Sequence, residues 1–282
     1  ELAASTKANY EVALRQFIAW LPDGRGFDWV KQTTLVRYRE HLKESLKPGA
    51  VGTRLSAIQS FFSWMTANGY LSANPAQQLD RPKVPKAAPQ YLNDEQIAGL
   101  KAILPSLTPR DFALAWVAAH GLRVATIAAL NIQDLQEQCG GPGVVVRQDQ
   151  RDSGRYVPFS SAAQSAIDSW LAWRMREGFS GAPENALFVS LSNNNLGKRI
   201  TTGGIRAVMR TWAQFAGLES LRPHQWRHTY CTILIESGMP VELAMQLTGH
   251  KNIASLNVYA GEAQARAAIR DFRSRDMGGR LL

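Results

Sequence analysis

Arg222-Pro223-His224-Gln225-Trp226-Arg227-His228 reads as the opening of a helix. Proline suits a first helical turn, where its missing N–H is lost to no partner. His224 and Arg227 are three residues apart, so a helix brings them to one face. His228, four beyond His224, reads as a packing residue. Outward from this stretch the helical period repeats on both sides. Ile205, Val208, Met209 and Trp212 mark one helix, stopped near Gly217, and Ala163, Ile167, Trp170, Leu171 and Arg174 mark another. Downstream, Val241 to Leu247 is amphipathic and runs into Leu247-Thr248-Gly249-His250. A glycine there ends the helix and leaves His250 aimed into a pocket. Tyr259 follows nine residues later.

Farther upstream, Thr108-Pro109 opens a helix carrying Phe112, Ala115, Trp116 and Ala119. Gly121 stops it, which puts Arg123 of His120-Gly121-Leu122-Arg123 in a turn before a short helix, Ala125 to Leu130. Asn93-Asp94-Glu95-Gln96 has the form of a capping box ahead of Ile97, Leu100 and Leu104. The one clear β signal is Gly143-Val144-Val145-Val146-Arg147 and Arg155-Tyr156-Val157-Pro158-Phe159, joined by the polar turn Gln148 to Gly154. Nearer the N-terminus, Tyr10, Ala13, Leu14, Phe17, Ile18 and Leu21 fall on one helix face, and Leu55, Ile58, Phe62 and Met65 on another. Leu35 to Leu46 lies between, ended by Pro48-Gly49.

Asp80 to Gln90 has three prolines and three basic residues without periodicity, which reads as an exposed linker. The expected organisation is a helical bundle over 1–80, a basic linker over 81–90 and a second domain over 91–282. The fold class is mainly α: the bundle, plus a mostly helical domain holding a small antiparallel β-hairpin. No repeat and no low-complexity tract interrupts it.

Hydrophobic residues make up 45% of the 282, enough to build a core and to argue against disorder. No apolar run approaches the roughly 18 residues of a membrane span. The first residues, Glu1-Leu2-Ala3-Ala4, show no basic segment leading into an apolar one, so no signal peptide is expected. Cys139 and Cys231 lack metal-ligand spacing and read as free thiols in a reducing compartment, here the cytoplasm. Lys and Arg outnumber Asp and Glu by 32 to 23, a formal charge of +9. That balance favours a polyanionic partner, because neutralising phosphates releases counterions. Arg37, Arg39, Lys43 and Lys47 form a wet basic face suited to phosphates, and Arg54, Lys83, Lys86, Arg151 and Lys198 are further candidate DNA contacts.

Two arginines, two histidines and a tyrosine suit attack on a phosphodiester. Charge spreads over the equatorial oxygens as the phosphorus is displaced. No carboxylate cluster suits a metal and no cofactor signature is present, and two guanidinium groups could hold that charge instead. Arg123 and Arg227 are the candidates. A phenol ionises near pH 10, so Tyr259 needs a base or nearby positive charge to become a nucleophile. His224 can take its proton. A phosphotyrosine link would conserve bond energy, and the strand could be rejoined without ATP.

These motifs, taken in order, resemble the tyrosine recombinase (phage integrase) family over essentially the whole chain. They are HGLRVATIAAL around Arg123, LRPHQWRH around His224 and Arg227, LTGH ending at His250, and LNVYA around Tyr259. The resemblance implies two domains that clamp double-stranded DNA at a specific recombination site. It implies that Arg123 and Arg227 bind the scissile phosphate, that His224 and His250 assist by proton transfer and hydrogen bonding, and that Tyr259 is the nucleophile. It also implies that the segment Glu262 to Arg275 is a helix that docks on a neighbouring protomer of a homo-tetramer.

Three positions depart from the family pattern. The hairpin turn usually carries a lysine as general acid, and that position falls here on Gln150. Glutamine cannot serve as a general acid, and the adjacent Arg151 holds its proton too tightly. Losing the acid would slow cleavage by about 10²–10⁴-fold, unless Lys198 or Lys251 reaches in. Thr126 stands where an acidic residue usually orients the first arginine, and Trp226 where an aliphatic residue is usual. The first reading is therefore a site-specific recombinase, with a DNA-binding relative weakened at the hairpin and a type IB topoisomerase, which shares the tyrosine chemistry, as the alternatives.

Overall fold

The computed structural model describes residues 4–274 apart from 23, 25, 83–89, 149–152, 180–184, 251, 258–260, 262–268, 270 and 273. Tyr259, Gln150, Arg151, Lys83, Lys86 and Lys251 lie outside the described residues, as does most of Glu262 to Arg275. The chain divides into two compact units, Glu1–Ala87 and Ala88–Leu282.

The first unit is built on α1 (Ala4–Trp20), α2 (Gln32–Ser45) and α3 (Pro48–Ala67). Ala13, Phe17 and Leu21 of the first amphipathic stretch are buried, and so are Leu35, Tyr38 and Leu42 of the second. Val51, Leu55, Ile58 and Phe62 complete this core. Phe17 is its hinge of contact, with ring centroids 4.9 Å from Tyr38 and 6.1 Å from Phe62. Ile18 departs from the expected face: it is 53% exposed. It sits about 100° around the helix from Phe17, at the rim of a groove that it shares with Phe61 and Trp64 of α3. Pro48 has a second role. α2 has already ended at Ser45, and the proline opens α3 as its first residue.

The second unit runs α4 (Asp94–Ile103), α5 (Pro109–Ala119), α6 (Val124–Ala129), β1 (Leu135–Gln138), β2 (Gly141–Gln148), β3 (Ser153–Pro158), α7 (Ser161–Arg176), α8 (Thr202–Phe215), α9 (Pro223–Glu236) and α10 (Val241–Thr248). Caps explain several boundaries. Asn93 accepts from the Gln96 N–H at 2.8 Å, and the Gln96 side chain accepts from the Asn93 N–H at 3.0 Å. The Thr108 hydroxyl accepts from the Asp111 N–H, and Pro109 follows it as first helical residue.

The sheet has three antiparallel strands in the order β1-β2-β3, with Val144 opposite Val157 and Val146 opposite Arg155. The hairpin was legible; β1 was not. Its sequence, Leu135-Gln136-Glu137-Gln138, has a single apolar residue and no alternation. Its ladder to β2, from Leu135 opposite Val144 to Gln138 opposite Gly141, holds it in place, and Tyr156 of β3 reinforces that pairing. Its hydroxyl donates to Gly141 O at 2.7 Å and accepts from the Gln138 N–H at 3.3 Å. Its ring lies where a side chain on Gly143 would be, since an added Cβ would come 2.5 Å from the phenol oxygen. Behind the sheet, Leu114, Val117, Ile127, Val144, Val157, Ile167, Trp170, Phe188, Ile205 and Trp212 form one buried core.

His120 clips this core together. Its Nδ1 lies 2.7 Å from Trp116 O, and its Nε2 is 3.1 Å from the Ser160 N–H. A carbonyl can only accept and an N–H can only donate, so the ring is neutral and carries its proton on Nδ1. Burial lowers its pKa accordingly. Among the described residues no helix is long and apolar enough to cross a membrane.

Candidate active site

The loop after α5 places Arg123. Gly121 has φ +74°, and a Cβ there would collide with the Tyr230 ring of α9. Only glycine makes that turn at that distance. Leu122 is buried beneath it, and Arg123 becomes the residue that precedes α6. The start of α9 places His224 and Arg227. Pro223 is its first residue, and the Gln225 side chain reaches back to accept the Arg222 N–H at 2.7 Å. Arg227, one turn in, is 5% exposed, whereas His224 on the first turn is exposed. The end of α10 places His250. Gly249 adopts the left-handed conformation (φ 65°), and its N–H returns to Met245 O at 2.8 Å.

These pieces meet at the C-terminal end of α10. A helix leaves its last carbonyls without intrahelical partners and carries partial negative charge there. Three guanidinium groups use three consecutive carbonyls at this end. Arg155 Nε donates to Leu247 O at 2.7 Å, Arg227 Nη2 to Thr248 O, and Arg123 Nη2 to Gly249 O at 3.1 Å. Arg227 Nη1 also donates to Gly121 O at 2.7 Å, so the turn that places Arg123 also orients Arg227. Carbonyls fix a guanidinium plane without cancelling its charge, and the cluster is suited to an anion.

His250 completes the group. Its Nε2 lies 3.4 Å from Arg227 Nη2, and its Nδ1 lies 2.7 Å from Thr248 Oγ1. Burial, then the charges of Arg227, Arg123 and Arg155 and of His228, push its pKa down to about 4. His224 is also lowered, first by desolvation and then by Arg227, Arg206 and Arg123. Its ring stands 6.2 Å from that of His228, which is lowered by burial and by His224 and Arg227. At neutral pH these imidazoles are uncharged and able to accept a proton.

The structure thus puts Arg227 and His250 in direct contact, Arg123 beside them on the Gly249 carbonyl, and His224 near them through α9 and shared electrostatics. Within the second unit, the described candidate Lys198 makes no hydrogen bond or ion pair with them. Lys198 is exposed on a loop, its backbone bonded to Ser190 and Asn195. Arg54 belongs to the first unit, where its Nε donates to the Gln16 side chain at 2.8 Å. Trp226 packs into the core of the second unit, its ring 6.2 Å from Trp212. Thr126, in α6, leaves Arg123 without the usual acid three residues on, and the Gly249 carbonyl is a partner from another element.

Sequence reasoning missed two members. Arg155 was visible only as a strand residue, although a charge opposite Val146 in an apolar hairpin is a signal. Arg206, exposed on α8, is near enough for its charge to bear on His224. Among the described residues, no group of three or more His, Cys, Asp or Glu could hold a metal. Cys139 and Cys231 are free thiols, exposed and buried respectively.

A model described as the phage integrase family matches residues 90–266, and one described as the phage integrase N-terminal SAM-like domain matches residues 1–69. A tyrosine recombinase XerC of Vibrio atlanticus is 30% identical over 269 residues, covering 92% of this chain and 83% of the relative. The XerC of Roseiflexus castenholzii is 29% identical over 273 residues, with the same shares covered. Among solved structures, a XerH site-specific recombinase bound to palindromic difH substrate aligns with a TM-score of 0.76 at 16% identity, over 95% of this chain and 78% of that one. A lambda integrase dimer bound to a COC' core site gives 0.69 at 15% identity, over 92% of this chain and 72% of that one. At such identities the likeness is one of fold. The family models and the XerC relatives carry the assignment: the chain belongs to the phage integrase family, the tyrosine recombinases.

Proposed function

We propose that this recombinase cuts and rejoins double-stranded DNA at a specific site through a covalent bond to Tyr259, one strand pair at a time by way of a four-way junction. Arg123 and Arg227 hold the scissile phosphate, and His224 and His250 assist. The phenolic oxygen bonds to phosphorus as the bond to the 5′ oxygen breaks. The phenol proton passes to a neutral imidazole, for which His224 is the candidate. The 5′ oxygen leaves by taking a proton from water, because the segment containing Gln150 and Arg151 has no lysine to supply one. The observation that supports this reading best is the meeting of Arg123, Arg227 and His250 at the end of α10.

On this reading residues 1–80 and 91–282 are the two halves of a DNA clamp joined by the linker 81–90, and Arg54, Lys83, Lys86, Arg151 and Lys198 bear on the phosphate backbone. Work on DNA suits a protein of the cytoplasm. The C-terminal segment docks on the next protomer of a tetramer, and the exposure of Ile269 and Phe272, 52% and 55%, suits a segment that is covered only on assembly.

The test is a nicked duplex carrying a candidate site, resolved on a denaturing gel. The wild-type chain forms a protein–DNA adduct. Tyr259→Phe binds the duplex equally and forms none. An undiminished adduct in the variant overturns the nucleophile. Binding without any adduct in the wild type turns the reading to a non-catalytic DNA-binding relative.

A further inference from the structure

Thr248 is 1% exposed, and its hydroxyl oxygen has two neighbours, Ala244 O at 2.6 Å and His250 Nδ1 at 2.7 Å. A hydroxyl has one proton and a carbonyl oxygen has none. The contact with Ala244 is a hydrogen bond only if Thr248 donates. That uses its proton, and the hydroxyl can then only accept from His250. So Nδ1 must be the donor. A neutral imidazole has one N–H, which leaves Nε2 bare. Nε2 faces Arg227 Nη2, an obligate donor, at 3.4 Å. A doubly protonated ring would set two donors against each other there, in line with the low pKa of about 4. The same threonine accepts Arg227 Nη2 on its backbone carbonyl. One residue therefore holds both partners: the histidine by its side chain, the arginine by its main chain.

We propose that Thr248 is a positioning residue whose hydroxyl locks His250 in the Nδ1–H form, so that His250 presents a bare Nε2 as an acceptor beside Arg227 rather than an N–H donor. The inference rests on the placing of His250 and Arg227 in the reaction as proposed above. It adds that His250 enters the reaction poised to receive a proton or a hydrogen bond. Any hydrogen bond it gives to a phosphate oxygen first requires proton uptake at Nε2.

Imidazole ¹⁵N shifts distinguish a protonated ring nitrogen from a bare one, which makes the tautomer observable without any activity. The full chain, labelled at histidine, is recorded at neutral pH, and the His250 signals are assigned by their loss in His250→Gln. The expected spectrum has Nδ1 protonated and Nε2 bare. Thr248→Val keeps the shape and removes the hydroxyl, and its His250 shifts toward the Nε2–H form. Thr248→Ser keeps the wild-type pattern. In single-turnover adduct formation on the nicked duplex, Thr248→Val falls roughly tenfold and Thr248→Ser restores most of the loss. A protonated Nε2 in the wild type, or an unchanged tautomer in Thr248→Val, overturns the proposal. Should Thr248→Val not fold, the wild-type spectrum and Thr248→Ser still decide it. Absence of any adduct from the wild-type chain would overturn the recombinase reading and leave the tautomer result standing.

Discussion

Arg174 and Arg227 are both buried, both in helices, and both held by backbone carbonyls. Arg174 Nε donates to Phe179 O at 3.0 Å, and its Nη1 to Ala186 O and to Leu187 O at 3.3 Å. It is 2% exposed, and burial lowers its pKa. It staples the stretch after α7 to the core. Arg227 has carbonyl partners of the same kind, Gly121 O and Thr248 O. What differs is the company. Near Arg227 stand Arg123, Arg155 and three histidines with lowered pKa values. A lone buried guanidinium held by carbonyls is a structural clip. Several gathered at one helix end repel one another, and that cost is a mark of a site meant for an anion.

The largest expected effect comes from breaking the two clips in parallel. Lysine keeps the charge but not the fork that reaches several acceptors at once. Arg227→Lys should lower adduct formation by about 10²–10³-fold, the usual cost of losing a donor aimed at transition-state charge. Its melting temperature should fall as well, because the carbonyls of Gly121 and Thr248 lose donors. Arg174→Lys should cost stability alone. The carbonyls of Phe179, Ala186 and Leu187 lose partners, at about 2–4 kcal/mol of stability, while adduct yield per folded molecule stays at the wild-type level. Equal losses of adduct in the two variants would erase the distinction.

A second test uses acid. His250 has a folded pKa of about 4 against an ordinary 6.5. The unfolded chain therefore binds the proton first as pH falls. The stability contributed by neutral His250 is complete above pH 6.5 and is lost progressively as pH drops toward 4. His120, His224 and His228 act in the same direction. His250→Gln removes one such group, so its melting temperature should fall less steeply than the wild type's between those pH values. Parallel slopes would mean that His250 titrates normally in the folded chain.

Much of this was legible in the chain because it is local. Periodicity gave the helices, Asn93 and Thr108 gave their starts, and the spacing of His224 and Arg227 put them on one face. The order of motifs brought Arg123 and His250 to the same list of candidates. What stayed hidden depends on partners distant in sequence. Arg155 is 92 residues from the carbonyl it binds, and Thr248 looks like any helix-end threonine until Ala244 O and His250 are both seen beside it. β1 has no pattern of its own and exists because it pairs with β2 and because the Tyr156 hydroxyl reaches over Gly143 to Gln136 and Gln138. Ile18 shows the opposite failure, where an apolar residue in phase with its helix is left half exposed at the rim of a groove.

The smallest expected effect also asks on which side of the comparison Arg155 falls. Its Nε hydrogen bond to Leu247 O resembles the clip of Arg174, but its charge helps to hold the His250 pKa down. Glutamine at this position could still donate to a carbonyl, so Arg155→Gln mainly deletes charge. A cation at a helix C-terminus contributes up to about 1 kcal/mol, so adduct formation should fall only two- to fivefold, roughly. The sharper readout is the histidine. With one of three guanidinium charges gone, His250 should titrate at a higher pH than in the wild type, followed by its ring nitrogen shifts. Arg174→Gln is the control and should leave that titration where it was. If Arg155→Gln leaves it unmoved as well, Arg155 is a second clip, and the charge at the end of α10 rests on Arg123 and Arg227 alone.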